Sequence, residues 1–173
     1  MRRTNVLQRL LPCYAAALIA VVCSSVSYGA EADASLDALS DQEWAHRIEE
    51  YPLWATATGN HRYNDRLPEI SLAASRRRHE ANQQFAKRLS GMDRAELSGA
   101  QQINYDILAR LLREDVAEYE FGTHLVPITH RSGFHIEFPE LRREVPLQSL
   151  PDYENSIARL TAFGDYADGH LAL

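Results

Sequence analysis

The chain has 173 residues, with 18 basic and 24 acidic side chains, a formal net charge of −6 and two cysteines. An acidic chain lacks the basic surface that neutralises phosphates, which excludes nucleic acid as a partner and argues against adsorption to anionic lipid. Both cysteines fall within the first 23 residues, so the rest of the chain has no disulfide, no cysteine zinc ligand and no cysteine nucleophile.

The start of the chain has the organisation of a secretory signal peptide. Arg2, Arg3 and Arg9 form a basic region, residues 10–23 are apolar, and small residues follow. The apolar run is shorter than the roughly 20 residues that span a bilayer. We therefore expect residues 1–32 to be a signal peptide that is cleaved between Ala30 and Ala34. The mature protein would be periplasmic or secreted, without stable membrane insertion.

Other interpretations of this segment have weaker support. An uncleaved membrane anchor remains open, and a lipoprotein would use Cys23, but Val22 precedes it where a small residue is expected. The pair Arg2-Arg3 is one element of a twin-arginine signal, but Asn5 and Val6 are not the apolar pair that follows it. Residues 31–173 hold 15 basic and 24 acidic side chains, a net charge of −9.

Residues 33–173 are expected to form a helical, bundle-like N-terminal lobe of a larger, truncated domain. Ser40 to Glu43 has the S-x-x-E form of a capping box, and apolar residues recur around it at helical spacing. Pro52 then bends or restarts the helix, and Gly59 can end it. The apolar positions are Leu36, Leu39, Trp44, Ile48 and Tyr51.

A second helix is predicted for residues 72–90, with Ser71 as its N-cap and Gly91 as its stop. The consecutive residues Arg76, Arg77 and Arg78 fan around such a helix, which favours a solvated face over an anion site.

The third helix should extend from Ser98 to Phe121, beginning with a capping box that pairs Ser98 with Gln101. One apolar face follows the helical period, and Ile107 and Leu111 widen it. Its residues are Tyr105, Leu108, Leu112, Val116 and Tyr119.

Residues 123–148 contain several prolines and glycines and are predicted to be irregular. The alternation of Phe134, Ile136 and Phe138 favours an extended or hairpin segment there. Ser149 then begins another helix, which Gly164 is expected to interrupt. The fold class is therefore mostly α, with one irregular or extended segment.

The residues offer little for metal chemistry. An HExxH motif holds zinc on two histidines one helical turn apart, and His79-Glu80 begins such a motif, but Gln83 replaces the second histidine. His79 and Glu80 are therefore interpreted as surface residues. Three histidines and a glutamate in the irregular segment match no compact ligand spacing, so no zinc site is assigned to them. They are His124, His130, His135 and Glu137.

Two acidic pairs could in principle serve acid–base chemistry, namely Glu49-Glu50 and Glu114-Asp115. Adjacent residues do not face each other on a helix, so these pairs are interpreted as solvated charge.

Three segments, in order, resemble one bacterial family. Residues 51–71 contain Tyr51-Pro52, Ala55-Thr56, Gly59 and the run Arg62-Tyr63-Asn64-Asp65-Arg66-Leu67-Pro68. This set resembles the opening signature of the family catalogued as domain of unknown function 885. The segments LSGAQQINYDILARLL and LPDYENSIARLTAFGDY are similar to the helices that follow in the family, so the resemblance covers nearly all of residues 36–173.

The resemblance implies a much longer protein, similar in architecture to mostly helical zinc metallopeptidases. The family's HExxH-type motif, usually followed by Pro-Gly-His, lies in the C-terminal half. No catalytic, cofactor-binding or metal-ligating residue can therefore be assigned in this fragment, and zinc is expected only in the full-length parent. The implied partners are the missing C-terminal part of the chain and a peptide substrate.

Two functions follow from this. The chain is either the N-terminal fragment of an exported, zinc-dependent peptidase-like hydrolase, inactive by itself, or a non-catalytic periplasmic helical binding module.

Overall fold

The computed structural model describes the backbone of residues 7–173 and the side chains of residues 29–173. The chain is 74% helical, with six α-helices and no strand in the described part, which confirms the predicted mostly α fold. The helices are α1 (Leu7–Glu50), α2 (Pro52–Ala57), α3 (Leu72–Ser90), α4 (Gly99–Glu120), α5 (Phe134–Glu140) and α6 (Leu150–Leu171). Short 3₁₀ turns lie at Arg94–Glu96, Thr123–Leu125 and Leu141–Arg143.

The predicted signal peptide, residues 1–32, lies mostly outside the described side chains. Residues 1–6 are outside the described residues altogether. Within residues 29–173, no helix combines the length and the apolar character that a membrane span requires.

The core lies where α1, α3 and α4 pack together. Its central residues are Leu36 and Leu39 from α1, Leu89 from α3, and Leu108 and Leu112 from α4, with Leu97 between the helices. Burying each of these side chains stabilises the fold by about 1.5–3 kcal/mol. The buried positions on α1 and α4 are among those that the helical spacing predicted.

The boundaries of α3 agree with the prediction. The side chain of Ser71 accepts a hydrogen bond from the N–H of Ala74 at 3.0 Å, and Gly91 occupies the C-cap position. Because both ends carry strong local signals, this helix was predictable to the residue.

Two predicted capping boxes are wrong. Ser40 lies inside α1, and its hydroxyl donates to the carbonyl of Leu36 at 2.8 Å instead of starting a helix. Ser98 does precede α4, but its side chain makes no cap hydrogen bond. The amide of Gln101 donates to Asp37 of α1 at 2.6 Å, and the backbone N–H of Ser98 donates to Asp33. Contacts between helices have replaced the local cap.

The hairpin suggested for the irregular segment is also wrong. Residues 126–133 and 144–149 are irregular as expected, but Phe134–Glu140 is the short helix α5. Phe134 and Phe138 are four residues apart, so they share one face of a helix. Their rings lie 6.1 and 4.4 Å from the ring of Phe163 on α6. This aromatic packing stabilises α5 although Pro139, near the helix end, disfavours a helix.

The last helix begins where predicted but is not interrupted at Gly164. The Asp152 carboxylate accepts hydrogen bonds from the N–H and the hydroxyl of Ser149, at 2.9 and 2.8 Å. Gly164 lies within the continuous α6, with open space where a Cβ would stand. Gly169 differs, because a Cβ there would lie 2.7 Å from the carbonyl oxygen of Ile70. That glycine lets α6 approach the loop before α3.

Candidate functional site

A cavity of about 250 Å³ lies between α3 and α4. The α3 wall contributes Arg78 and His79, and the α4 wall contributes Asp115 and Glu118. The cavity therefore has a basic wall facing an acidic wall. Its other lining residues are Tyr51, Ser75, Asn82, Tyr119, Thr123 and His124.

Three stacked rings form one side of the cavity. His79 stacks on Tyr119, with 4.1 Å between the ring centroids and 18° between the ring planes. Tyr119 also stacks on His124, with 4.5 Å between the centroids and 6° between the planes. The interpretation of His79 as a surface residue is therefore wrong. The Nδ1 atoms of both histidines are buried without a hydrogen-bond partner among the described residues. The stack joins α3, α4 and the turn that follows α4.

Arg78 is held in place by an ion pair. Its Nε donates to Glu50 at 2.9 Å, and its Nη2 donates to the carbonyl of Glu69 at 2.6 Å. Arg77 also donates to both oxygens of Glu50. The guanidinium of Arg78 lies over the ring of Tyr51, 5.2 Å from its centroid. Arg78 is buried, so the expectation of a solvated arginine run fails at this position.

Glu50 is correspondingly not a solvated charge. The side chain of Glu50 is 14% exposed, whereas its neighbour Glu49 is an exposed residue. Burial alone would raise the pKa of Glu50, but the hydrogen bonds and charges of Arg77 and Arg78 outweigh it, so the pKa lies below 4.5.

The second acidic pair divides in the same way. Asp115 accepts a hydrogen bond from Arg47 of α1 at 2.6 Å, and Arg47 also binds Glu43. Glu114 faces solvent and pairs with Arg110 one turn away on the same helix. Asp115 therefore connects α4 to α1 beside the cavity, a role that its sequence neighbours do not indicate.

A smaller cavity of about 180 Å³ shares Ser75, Arg78 and His124 with the first. Its other walls include Ile70 and His170. His170 stacks on Phe134 with 5.1 Å between centroids. Burial lowers the pKa of His170, against an opposing effect of the Glu137 charge.

The residues of the irregular segment do not assemble with one another. His124 belongs to the ring stack, whereas His130 and His135 are exposed. The Glu137 carboxylate accepts a hydrogen bond from the N–H of Gly133 at 3.1 Å, at the start of its own helix. In residues 29–173, no group of three or more His, Cys, Asp or Glu side chains is arranged to hold a metal ion.

Comparison with known proteins gives one match. Residues 52–173 match the bacterial family described as "Bacterial protein of unknown function (DUF885)". The chain belongs to this family. No curated protein and no solved structure is significantly similar to it. The DUF885 assignment confirms the family resemblance of residues 51–71 and of the later helices, and its description specifies no activity.

The DUF885 signature of residues 51–71 folds around one side chain from a distant helix. Arg159 of α6 donates from Nε to the carbonyl of Arg66 at 2.9 Å. Its Nη2, which carries two hydrogens, lies within hydrogen-bond distance (2.8–3.2 Å) of three further acceptors, namely the carbonyls of Pro52 and Tyr63 and the hydroxyl of Thr56. Arg159 therefore fixes the loop of the signature to the last helix.

Arg159 has no carboxylate partner in this arrangement. It is 2% exposed, and its Nη1 is buried without a hydrogen-bond partner among the described residues. Burial lowers the pKa of Arg159 to about 10, while the charge of Asp65 acts in the opposite direction. The guanidinium stays protonated at neutral pH. No local pattern in the sequence indicates this role, because Arg159 lies about 100 residues from its acceptors and resembles any helical arginine.

Proposed function

We propose that the chain is the N-terminal lobe of an exported, zinc-dependent peptidase-like hydrolase of this family. The lobe would form one wall of a substrate channel, and the remainder of the protein would supply the zinc ligands and the catalytic base. The proposal rests on the family resemblance and on one structural observation, the presence of two uncovered apolar helix faces.

The first uncovered face lies on α4. Ile103, Ile107 and Leu111 follow each other at four-residue intervals and are all exposed, and Phe121 at the helix end is 88% exposed. Apolar residues at this spacing are typical of a helix face that packs against another element. The adjoining face of the same helix, about 100° away, is already buried through Leu112.

The second face lies on α6, where Leu150, Tyr153, Ile157 and Leu160 follow the helical period and are exposed. Scattered exposed apolar residues are common, but two continuous stripes, one on α4 and one on α6, favour a missing packing partner. We infer that the partner is the remainder of the same polypeptide.

The residues of the lobe do not fit a zinc site of their own. His79 and Glu80 match the start of an HExxH motif, but the second histidine is missing. The ring of His79 stacks on Tyr119.

A second candidate is the non-catalytic periplasmic binding module. The observation that favours it is the cavity between α3 and α4. Its positively and negatively charged side chains all come from residues of this chain.

The coding sequence downstream of codon 173 separates the two candidates. An open frame with an HExxH motif supports the hydrolase, and a stop codon supports the module. The full-length protein should then cleave a fluorogenic peptide, lose that activity to a chelator and regain it with zinc. A metal-loaded full-length protein that cleaves none of a broad peptide library would contradict the proposal.

Export has its own test. Leu36 and Leu39 are central core residues, so cleavage between Ala30 and Ala34 would leave the core intact. N-terminal sequencing of the protein recovered from outside the cytoplasm should show a first residue in that interval. A protein that retains Met1 would contradict cleavage.

A further inference from the structure

The cavity between α3 and α4 has charges of both signs on opposite walls. We propose that it binds a short peptide with free ends as a zwitterion, the ligand carboxylate on the Arg78 side and the ligand ammonium on the Glu118 side. This deepens the proposed function by naming a ligand class, and it rests on that function in treating the ligand as a substrate or product of peptide hydrolysis.

The basic wall retains donor capacity for an anionic group. Arg78 uses Nε for Glu50 and Nη2 for the Glu69 carbonyl, which leaves its Nη1 without a hydrogen-bond partner among the described residues. Its position is fixed by that ion pair and by the ring of Tyr51. A guanidinium that is held in place loses little conformational entropy when it binds a carboxylate.

The acidic wall retains a carboxylate. The ion pairs that α4 makes with described residues engage Asp106, Glu114 and Asp115. Glu118 lines the cavity and is exposed, so it can accept hydrogen bonds from an ammonium group.

The two walls together select the ligand class. Glu118 would repel an inorganic anion, and the guanidinium of Arg78 would repel a metal cation. A molecule with one charge of each sign satisfies both walls. The volume of about 250 Å³ is below the range of about 300–1,000 Å³ that is typical of pockets for drug-sized ligands, and a dipeptide is the smallest peptide that carries both charges.

The adjoining cavity adds side-chain selectivity. It shares Arg78 with the first cavity and is walled in part by Ile70 and Pro127. The residue whose carboxylate binds Arg78 would place its side chain there. A dipeptide with an apolar C-terminal residue should therefore bind more tightly than one with glycine.

The test is calorimetric titration of the purified full chain, in the presence of a chelator, with glycyl-leucine as the probe. Binding is expected, and N-acetylation or C-terminal amidation of the probe should each weaken it at least about tenfold, as loss of one charge-assisted hydrogen bond does. Glycyl-glycine should bind more weakly than glycyl-leucine.

Glu118→Gln should weaken the binding of glycyl-leucine at least about tenfold. Glu120→Gln, an exposed glutamate on the same helix that does not line the cavity, should leave binding unchanged. Absence of glycyl-leucine binding by a chain with native circular dichroism, equal binding of the blocked probes, or equal effects of the two variants would overturn the proposal. Because the chelator prevents zinc-dependent hydrolysis of the probe, these outcomes are independent of whether the full-length protein is a zinc peptidase.

Discussion

Glu49 and Glu50 are adjacent, identical in type and different in environment. Glu49 is exposed, whereas Glu50 binds Arg77 and Arg78 across the α1–α3 interface. Consecutive helical positions point about 100° apart, so one of the two faces the neighbouring helix and the other faces water. The difference depends on where α3 packs against α1, and it leads to a pH-dependent prediction.

Replacing Glu50 by Gln should lower the free energy of unfolding by about 1.5–3 kcal/mol at neutral pH, the contribution of hydrogen bonds to charged groups. The pKa of Glu50 is depressed in the folded state, so its contribution is present above about 4.5 and is lost as pH falls through the folded value. The two proteins should therefore converge in stability once the pH falls below the depressed pKa of Glu50 in the folded state.

Urea unfolding at a series of pH values would measure this difference. Glu49→Gln is the matched control, and it should stay within about 0.5 kcal/mol of the unsubstituted chain, as exposed positions do. A Glu50→Gln deficit that persists undiminished at low pH would show that the carboxylate charge is not its cause.

Arg159 provides a second prediction for a single residue. Replacing it by Met would remove a donor from three carbonyls and the Thr56 hydroxyl, at about 1–3 kcal/mol for each acceptor that water cannot reach. The bonds to Pro52 and Thr56 are buried, and those to Tyr63 and Arg66 are part-buried. Relief of a buried, unpaired charge offsets part of this cost. We expect a net loss of about 2–5 kcal/mol, with Arg159→Lys intermediate because one ammonium cannot reach all four acceptors.

Chemical denaturation would measure the loss, with Arg113→Met on the exposed side of α4 as the control. If Arg159→Met were as stable as the unsubstituted chain, the hydrogen bonds of Arg159 would not be what holds the signature loop.

At the level of single residues, the sequence could predict the apolar core but not the buried charges. Leu36, Leu108 and Leu112 follow a helical period that can be read directly. Arg78 and Arg159 are buried because acceptors from distant segments converge on them, and no local pattern encodes that convergence. The same limit applies to the cavity, whose walls come from two helices and the turns beside them.

Helix boundaries were predictable where the terminal residues act locally. Ser71 and Gly91 bracket α3 because a cap hydrogen bond and a helix stop need only neighbouring residues. α5 was missed because Phe134, Ile136 and Phe138 fit a strand period, while the i, i+4 pair within them fits a helix equally well. Only the rings of α6 decide between the two, since Phe134 and Phe138 both pack on Phe163.

The two glycines of α6 give opposite predictions on one helix. Gly164 has open space at its Cβ position, so Gly164→Ala should stabilise the chain by about 0.5–1 kcal/mol through helix propensity. Gly169→Ala would place a methyl group 2.7 Å from the backbone oxygen of Ile70, so it should destabilise by about 1–3 kcal/mol. Thermal unfolding of both variants would measure the difference. A stabilising Gly169→Ala would show that α6 does not approach the Ile70 loop closely.

For the whole molecule, the balance between covered and uncovered apolar surface decides its behaviour. One face of α4 is buried against α1 and α3 through Leu108 and Leu112, while Ile103 and Ile107 on the adjoining face stay exposed. An uncovered face forfeits roughly 25 cal/mol for each Å² of apolar surface that a partner would remove from water. A domain has only about 5–15 kcal/mol of net stability, so such a loss is large for an isolated lobe.

We therefore predict that residues 33–173, produced alone, are helical, marginally stable and associated in solution, without peptidase activity. Circular dichroism, thermal melting and size-exclusion chromatography would measure these properties. Ile107 is 53% exposed, so Ile107→Gln should shift the population toward monomer without loss of helicity, whereas Arg113→Gln on the same helix should not. A monomer with a sharp transition at high temperature would mean that these faces need no further partner, and the binding-module function would then be favoured over the hydrolase lobe.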